Sequence, residues 1–314
     1  MRQQYSTITH DEESLRSKST KSPFGYYGAK LRIASRIIDS FPPHNAWVEG
    51  FCGSAAITLA KPPSLIEVIN DIDGDIVNLF DQLRNHPEKL CRAVALTPYA
   101  HQCLDDARQS KSKAGPLEQA RRFLIRSMMT VNATVGSKTA GFSFSQSYTR
   151  EGHEARVNRW YNLPERLTKV VERLRGVRVE SRDARDLVAM FADRPATLMY
   201  LDPPYFTKRD HQYVIDANDE EFHTELLNAC RKAKCMLLIS AYETPLYDKM
   251  LRRSDGWKKM KIATHTRDTT GKDYDRTEVL WMNGAFVRAR AIGRVPIRLT
   301  KKERAENKVN PPRK

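Results

Sequence analysis

The sequence predicts an α/β fold: a sheet of seven strands, mostly parallel, interrupted by a mainly helical insert. Three observations carry this expectation. Short apolar runs alternate with helix-compatible segments along most of the 314 residues, as in a parallel sheet crossed over by helices. Between Asp81 and Gly176 the alternation gives way to mostly helical sequence. The last two strand-like runs follow one another with no good helix between them, which predicts an antiparallel pair.

Taken in order, residues 1–21 are polar and aperiodic and read as a flexible tail, with order beginning near Pro23. In "AKLRIASRIIDSF", Leu31, Ala34, Ile37, Ile38 and Phe41 share one face of a helix that Pro42 and Pro43 stop. "AWVEGF" predicts a buried strand running into a glycine turn and a helix start. "LIEVIND" predicts a second strand, with "DIVNLFDQL" as its helix. Within the insert, "PLEQARRFLIRSMM" and "PERLTKVVERLRG" are helices that each open with proline near the first turn. Between them, "TVNATVGSKTAGFSFSQSYTREGHEARVNRW" mixes small polar, aromatic and basic residues, a composition suited to a loop or hairpin that meets a polar partner. The strands resume with "VRVES", "TLMYLD" and "CMLLISAY", and "WKKMKIATHT" and "TEVLWMN" close the series. Residues 288–314 are strongly basic and predict a flexible arm. No internal repeat is present.

A formal charge of +15 and a pI of about 9.6 point to a polyanionic partner, nucleic acid before an anionic membrane. No run approaches the ~18 apolar residues of a spanning helix, and the N-terminus has no apolar signal segment. Five scattered cysteines (Cys52, Cys91, Cys103, Cys230 and Cys235) form no CxxC module. They read as reduced, mostly buried thiols of a cytoplasmic protein without a metal.

Three motifs carry chemistry. In "VEGFCGSAA" a strand ends at Glu49 and turns through Gly50 and Gly53, letting backbone N–H groups approach a ligand at the carboxyl edge of the sheet. Neither GxGxxG nor GKS/T is present, and a glycine turn made only for packing is the competing explanation. In "NDID", Asp71 ends the second strand about twenty residues later, where a carboxylate accepts two ribose hydroxyls. Asp73 and Asp75 read as a helix cap and its first turn. Together the two motifs point to a nucleoside-bearing cofactor. In "LDPPYF" the prolines leave carbonyl acceptors free of the ladder. Asp202 and the Pro203 carbonyl can accept both N–H hydrogens of a planar exocyclic amine and free its lone pair, while Tyr205 offers a face for stacking an unpaired base.

These pieces in this order, "GYYGAK" at 25–30, "EGFCGSAA" at 49–56, "NDID" at 70–73 and "DPPY" at 202–205, make the chain similar to the Dam-like, alpha-group DNA adenine-N6 methyltransferases. The resemblance spans residues 23 to about 285. It implies a Rossmann-like seven-stranded methyltransferase sheet, with 22–80 and 177–287 as a discontinuous catalytic domain and 81–176 as an inserted target-recognition domain. It implies S-adenosylmethionine as cofactor, and a flipped adenine of double-stranded DNA as substrate. By the same resemblance, Tyr26 and Lys30 contact the methionine part of the cofactor. Glu49, Phe51 and Gly53 lie under that part, Asp71 meets the ribose, and Asp183 matches more loosely a position that meets the cofactor adenine. Asp202, also beside the cofactor, holds the flipped adenine with Tyr205. Asn132, Lys138, Arg150, Arg156 and Arg159 are the candidate DNA contacts. The sequence departs from the family at Ala55, where glycine is frequent, and at Tyr26 to Ala29, where Trp-Ala-Gly-Gly is usual. A bacterial or phage-encoded monomer, of a kind also found in restriction-modification systems, is implied. The alternatives are cytosine-N4 methylation, methylation of RNA or of a protein glutamine, and a DNA-binding homologue that has lost catalysis.

Overall fold

The computed structural model describes residues 20–25, 30–109, 114–131, 140–146, 148–205, 219–267 and 273–296. Strands β1 (Ala46–Glu49) and β2 (Ile66–Asn70) precede the insert. Strands β3 (Thr149–Arg150) and β4 (His153–Glu154) pair within it. Strands β5 (Val177–Glu180), β6 (Thr197–Leu201), β7 (Met236–Ala241), β8 (Lys258–Arg267) and β9 (Asp273–Met282) follow. Apart from the small β3–β4 ladder they form one seven-stranded sheet in the order β5-β2-β1-β6-β7-β9-β8. All seven expected strands are present. The pairings from β5 across to β7 are all parallel, as expected, and β9 runs antiparallel to both β7 and β8.

The continuous apolar runs make sense in this arrangement, because the central strands are covered on both faces. In β6, Leu198 and Tyr200 face one apolar cluster, and Met199 and Leu201 the opposite one. The chain leaves β1 toward β2 and returns on its other side through β6. The strand order therefore reverses between β1 and β6, and open α/β sheets bind their ligands outside the carboxyl ends of the strands at such a reversal. Glu49 ends β1 there and Asp202 follows β6.

The helices are α1 (Ala34–Ile38), α2 (Ala56–Ala60), α3 (Gly74–Asn85), α4 (Pro87–Ala95), α5 (His101–Gln109), α6 (Pro116–Met129), α7 (Ala155–Tyr161), α8 (Leu163–Leu174), α9 (Ala184–Phe191), α10 (Glu220–Lys232), α11 (Pro245–Met250) and α12 (Gly284–Ile292). Asp73 caps α3 as expected, accepting the Asp75 N–H at 2.9 Å. Proline stands in the first turn of both α6 and α8.

Three expectations need correcting. The helix expected across "AKLRIASRIIDSF" is only the five residues of α1, and Leu31 is 49% exposed. Ile33, in the turn before α1, is buried in its place. The expected edge of the C-terminal arm at 288 falls inside α12, whose Phe286 and Ala289 are buried. The basic residues Arg288 and Arg290 sit on the exposed side of that helix, so composition hid an amphipathic segment. The tail expected to end at residue 21 is already held at Thr20, whose N–H donates to the Leu59 carbonyl at 3.1 Å.

The insert does not have a core of its own. Leu90 of α4, Leu104 of α5, Phe123 and Leu124 of α6, Trp160 of α7 and Leu167 and Val170 of α8 join one buried cluster. That cluster also holds Ile69 of β2, Ile76 and Phe80 of α3 and Val177 of β5. The insert is thus cemented to one face of the sheet by apolar burial, and an Arg126–Asp75 ion pair at 2.7 Å adds a polar link between α6 and α3. The ring of Phe24 meets that of Phe123 edge to face at 5.0 Å. That contact packs the segment around Phe24 against α6.

Candidate active site

The turn after β1 is built by close approach. A Cβ on Gly50 would lie 2.5 Å from the end of the Leu201 side chain, so glycine lets β1 and β6 come together here without displacing that side chain. Gly53 has φ +48° and Ala55 φ +52°. The left-handed conformation at Ala55 costs a residue with a side chain about 1 kcal/mol, which explains why glycine suits this position.

Glu49 is buried. The Thr58 N–H donates to its Oε2 at 2.9 Å and the Thr58 hydroxyl donates to the same oxygen, while Trp47 Nε1 donates to Thr58 Oγ1 at 2.7 Å. Burial pushes the Glu49 carboxyl from the usual 4.5 up to about 7. Across the turn, Asp71 accepts the Gly53 N–H at 2.8 Å on Oδ2 and the Asp73 N–H at 3.0 Å on Oδ1. Burial raises its carboxyl to about 6. Neither carboxylate is in direct contact with a cation in the ion pairs formed among the described residues, although the Lys61 ammonium acts on Glu49 from a distance.

Asn70, which sequence reasoning passed over, ties three loops together. Its amide donates to the Gly50 and Arg182 carbonyls at 3.0 and 3.1 Å and accepts the Arg182 N–H at 2.9 Å. A polar residue ending a buried strand was its only signal. Asp183 caps α9 through the Arg185 N–H at 2.8 Å. Its hydrogen bonds to the Arg185 guanidinium hold its carboxyl below the ordinary carboxylate range, so most of its acceptor capacity is already used. Phe51 is half-buried, its ring edge-on to Phe222 at 6.4 Å.

After β6, Asp202 is half-buried and Pro203 buried. Lys30, 172 positions earlier in the chain, places its ammonium 2.8 Å from Asp202 Oδ1 and 2.7 Å from Oδ2. It also donates to the Tyr205 hydroxyl at 2.5 Å. That hydroxyl lies 2.8 Å from both oxygens of Glu278, and the Ser240 hydroxyl donates to Glu278 at 2.5 Å. The Tyr205 ring, expected to be open for stacking, is only 6% exposed, with the Tyr242 ring tilted against it at 4.2 Å. Sequence reasoning missed Ser240, Tyr242 and Glu278.

Arg150, Arg156 and Arg159 do come together. They line one groove of about 1490 Å³ with Arg166, Lys169, Phe144 and Tyr148, and neither Asp202 nor Tyr205 lines it. Arg159 and Arg166 are half-buried and close to one another. Burial and Arg159 push Arg166 down to about 10. Among the described residues no carboxylate pairs with Arg156, Arg159 or Arg166. Tyr26, Asn132 and Lys138 lie outside the described residues. Among the described residues, no cluster of His, Cys, Asp and Glu could hold a metal, and no helix is long and apolar enough to cross a membrane.

The profile of the D12 class of N6 adenine-specific DNA methyltransferases matches residues 26–264. The chain belongs to that class. It is therefore a D12-class enzyme that methylates adenine N6 in DNA with S-adenosylmethionine, and the cytosine, RNA and glutamine alternatives fall away. No curated protein matches it. Among solved structures it is similar to a precorrin-8W decarboxylase of Methanobacterium thermoautotrophicum (10% identity, 86% of this chain and 98% of that one, TM-score 0.35). It is also similar to a precorrin-6y C5,15-methyltransferase of Geobacter metallireducens GS-15 (8%, 89% and 97%, 0.36). A third is a SAM-dependent methyltransferase of Agrobacterium tumefaciens (11%, 81% and 60%, 0.33). These likenesses are too distant to bear on substrate.

The D12-class enzyme's own residues fit the cofactor. The buried Glu49 and the half-buried Asp71, neither in direct contact with a cation among the described residues, suit a ligand that brings a positive charge and hydroxyl donors. The raised pKa of Glu49 has a testable consequence. Its contribution to stability is fully present below about pH 4.5 and lost as pH rises through about 7. The shift corresponds to ~3 kcal/mol. Glu49→Gln keeps an acceptor for Thr58 and removes the buried charge. Thermal melts from pH 4 to 8 are expected to show the variant apoprotein's advantage over wild type growing from about pH 4.5 and levelling off above about pH 7 at ~1–3 kcal/mol, while its affinity for S-adenosylmethionine falls. Parallel pH profiles would refute the cost assigned to Glu49.

Proposed function

We propose that the enzyme flips its target adenine out of duplex DNA and that the Asp202 carboxylate and the Pro203 carbonyl accept the two hydrogens of N6. The position of Asp202 carries this reading: it stands at the strand-order reversal, directly after β6 and beside the Glu49 turn. Lys30, Glu49, Phe51, Gly53 and Asp71 would hold the cofactor, with Asp183 at the far side through its cap. Bound there, S-adenosylmethionine supplies an electrophilic methyl group. The chain's part is to orient the amine, draw its nitrogen toward tetrahedral geometry and place a carboxylate beside the positive charge that develops on it. Transfer is direct, with no covalent link to the protein. Five free thiols suit a reducing cytoplasm.

The arginine-lined groove supports the assignment of Arg150, Arg156 and Arg159 to DNA contact, and extends it to Arg166. Arg159 and Arg166 are half-buried guanidinium groups that pair with no carboxylate among the described residues and are poised for phosphate oxygens, while Arg156 is exposed and Arg150, also exposed, lies 3.9 Å from Glu151. Measuring duplex affinity against salt for each single Ala variant tests this. Removing a guanidinium that binds a phosphate should weaken cognate and scrambled duplexes alike and make the salt slope shallower by about one. A residue that reads a guanine edge should instead cost ~1–3 kcal/mol at one base pair of the site. Unchanged affinity and slope for all of them would move the DNA path elsewhere.

A further inference from the structure

Glu278, where this polar chain ends, is itself neither among the residues assigned to the cofactor nor an acceptor of the target amine, and it lies beyond the matched residues 26–264. We propose that Glu278 is a positioning residue for methyl transfer. Through the Tyr205 hydroxyl it holds the Lys30 ammonium, and it serves as that ammonium's counter-charge when Asp202 engages the target amine.

The geometry is specific. Strand β9 pairs with β7 only from Val279 to Met282, so Glu278 is the first residue beyond that pairing and stands at the sheet's carboxyl edge. Its carboxylate is buried, is fixed by the Ser240 hydroxyl, and faces the Tyr205 hydroxyl with both oxygens. A phenol has one proton and can accept as well as donate. Tyr205 donates to Glu278 and accepts from Lys30, and burial among carboxylates keeps that proton on the phenol. Lys30 thus lies between two carboxylates, Asp202 in direct contact and Glu278 one hydroxyl away.

The arrangement answers a problem in the reaction. While the ammonium sits on both Asp202 oxygens, it competes with the target amine for them and opposes the positive charge that grows on N6. Lys30 must loosen from Asp202 without being left as an unpaired buried cation. Glu278 supplies the second counter-charge that makes this possible.

This inference rests on Asp202 as the amine acceptor, and the test separates the two ideas. Glu278→Gln removes the charge and keeps the shape and an acceptor for Tyr205. It is expected to lower kcat about tenfold, with KM for duplex DNA within about threefold of wild type and a similar melting temperature. In a Tyr205→Phe background, which keeps the ring and cuts the link, the same change should have little further effect. A second readout needs no turnover. The affinity ratio between duplexes carrying adenine or purine (which lacks the amine) at the target should shrink at least threefold in Glu278→Gln without cofactor, since a merely structural role would weaken both alike. Wild-type kcat in Glu278→Gln, or equal losses in both Tyr205 backgrounds, would overturn the proposal. Should Glu278→Gln fail to fold, Tyr205→Phe alone must show the kcat loss, and normal turnover there overturns it equally. If Asp202→Ala keeps its activity, the amine-acceptor reading itself fails. If Asp202→Ala is inactive and Glu278→Gln is normal, only the role of Glu278 does.

Discussion

Asp202→Ala is expected to lose at least ~10²–10³-fold in methyl transfer, because it removes the acceptor placed where charge develops on the reacting nitrogen. S-adenosylmethionine should still bind, since Glu49 and Asp71 stay in place on β1 and β2. The structure adds a second expectation. Lys30 contacts Asp202 and Tyr205 together, so its ammonium keeps a polar partner when Asp202 is gone, and the variant should remain folded. Single-turnover assays with equilibrium cofactor binding on the same preparation separate chemistry from binding. Near wild-type turnover would remove Asp202 from the reaction.

For Asp71→Ala the expected loss is ~1.5–3 kcal/mol in cofactor affinity, the scale of a charge-assisted hydrogen bond. DNA affinity should be nearly unchanged. Asp71 also accepts the backbone N–H groups of Gly53 and Asp73, so it joins the β1 turn to the start of α3. Asp71→Asn separates these roles. Its amide oxygen can keep one backbone bond while its charge is gone. Titration calorimetry should find cofactor affinity reduced in both variants, and thermal stability reduced more in the Ala variant. Equal losses of cofactor and DNA affinity would mean that Asp71 serves the fold alone.

The sheet was legible because its strands are buried on both faces and therefore appear as unbroken apolar runs between turn residues. The same holds for the Asp73 cap and the two proline-started helices, whose signals lie within a few residues of their effect. What could not be read at the site shares one physical cause. Lys30 meets Asp202 across 172 positions, and Tyr205 meets Glu278 across 73. Such contacts are decided by strand order, not by local pattern. Glu278 looked like an ordinary charged residue in "TEVLWMN", and Tyr242 like the end of a strand. The insert was recognised by its break in alternation, but its apolar faces could not say that they cover the sheet rather than one another. Within α12, two buried positions beside Arg288 and Arg290 were too few to outweigh composition.

The most direct measurement is base-resolved mapping of modified bases in DNA from cells that express the chain, beside cells that express Asp202→Ala. N6-methyladenine at one recurring sequence, absent with Asp202→Ala, is the expected result. N4-methylcytosine, or unmodified DNA from a folded chain that binds S-adenosylmethionine, would contradict it.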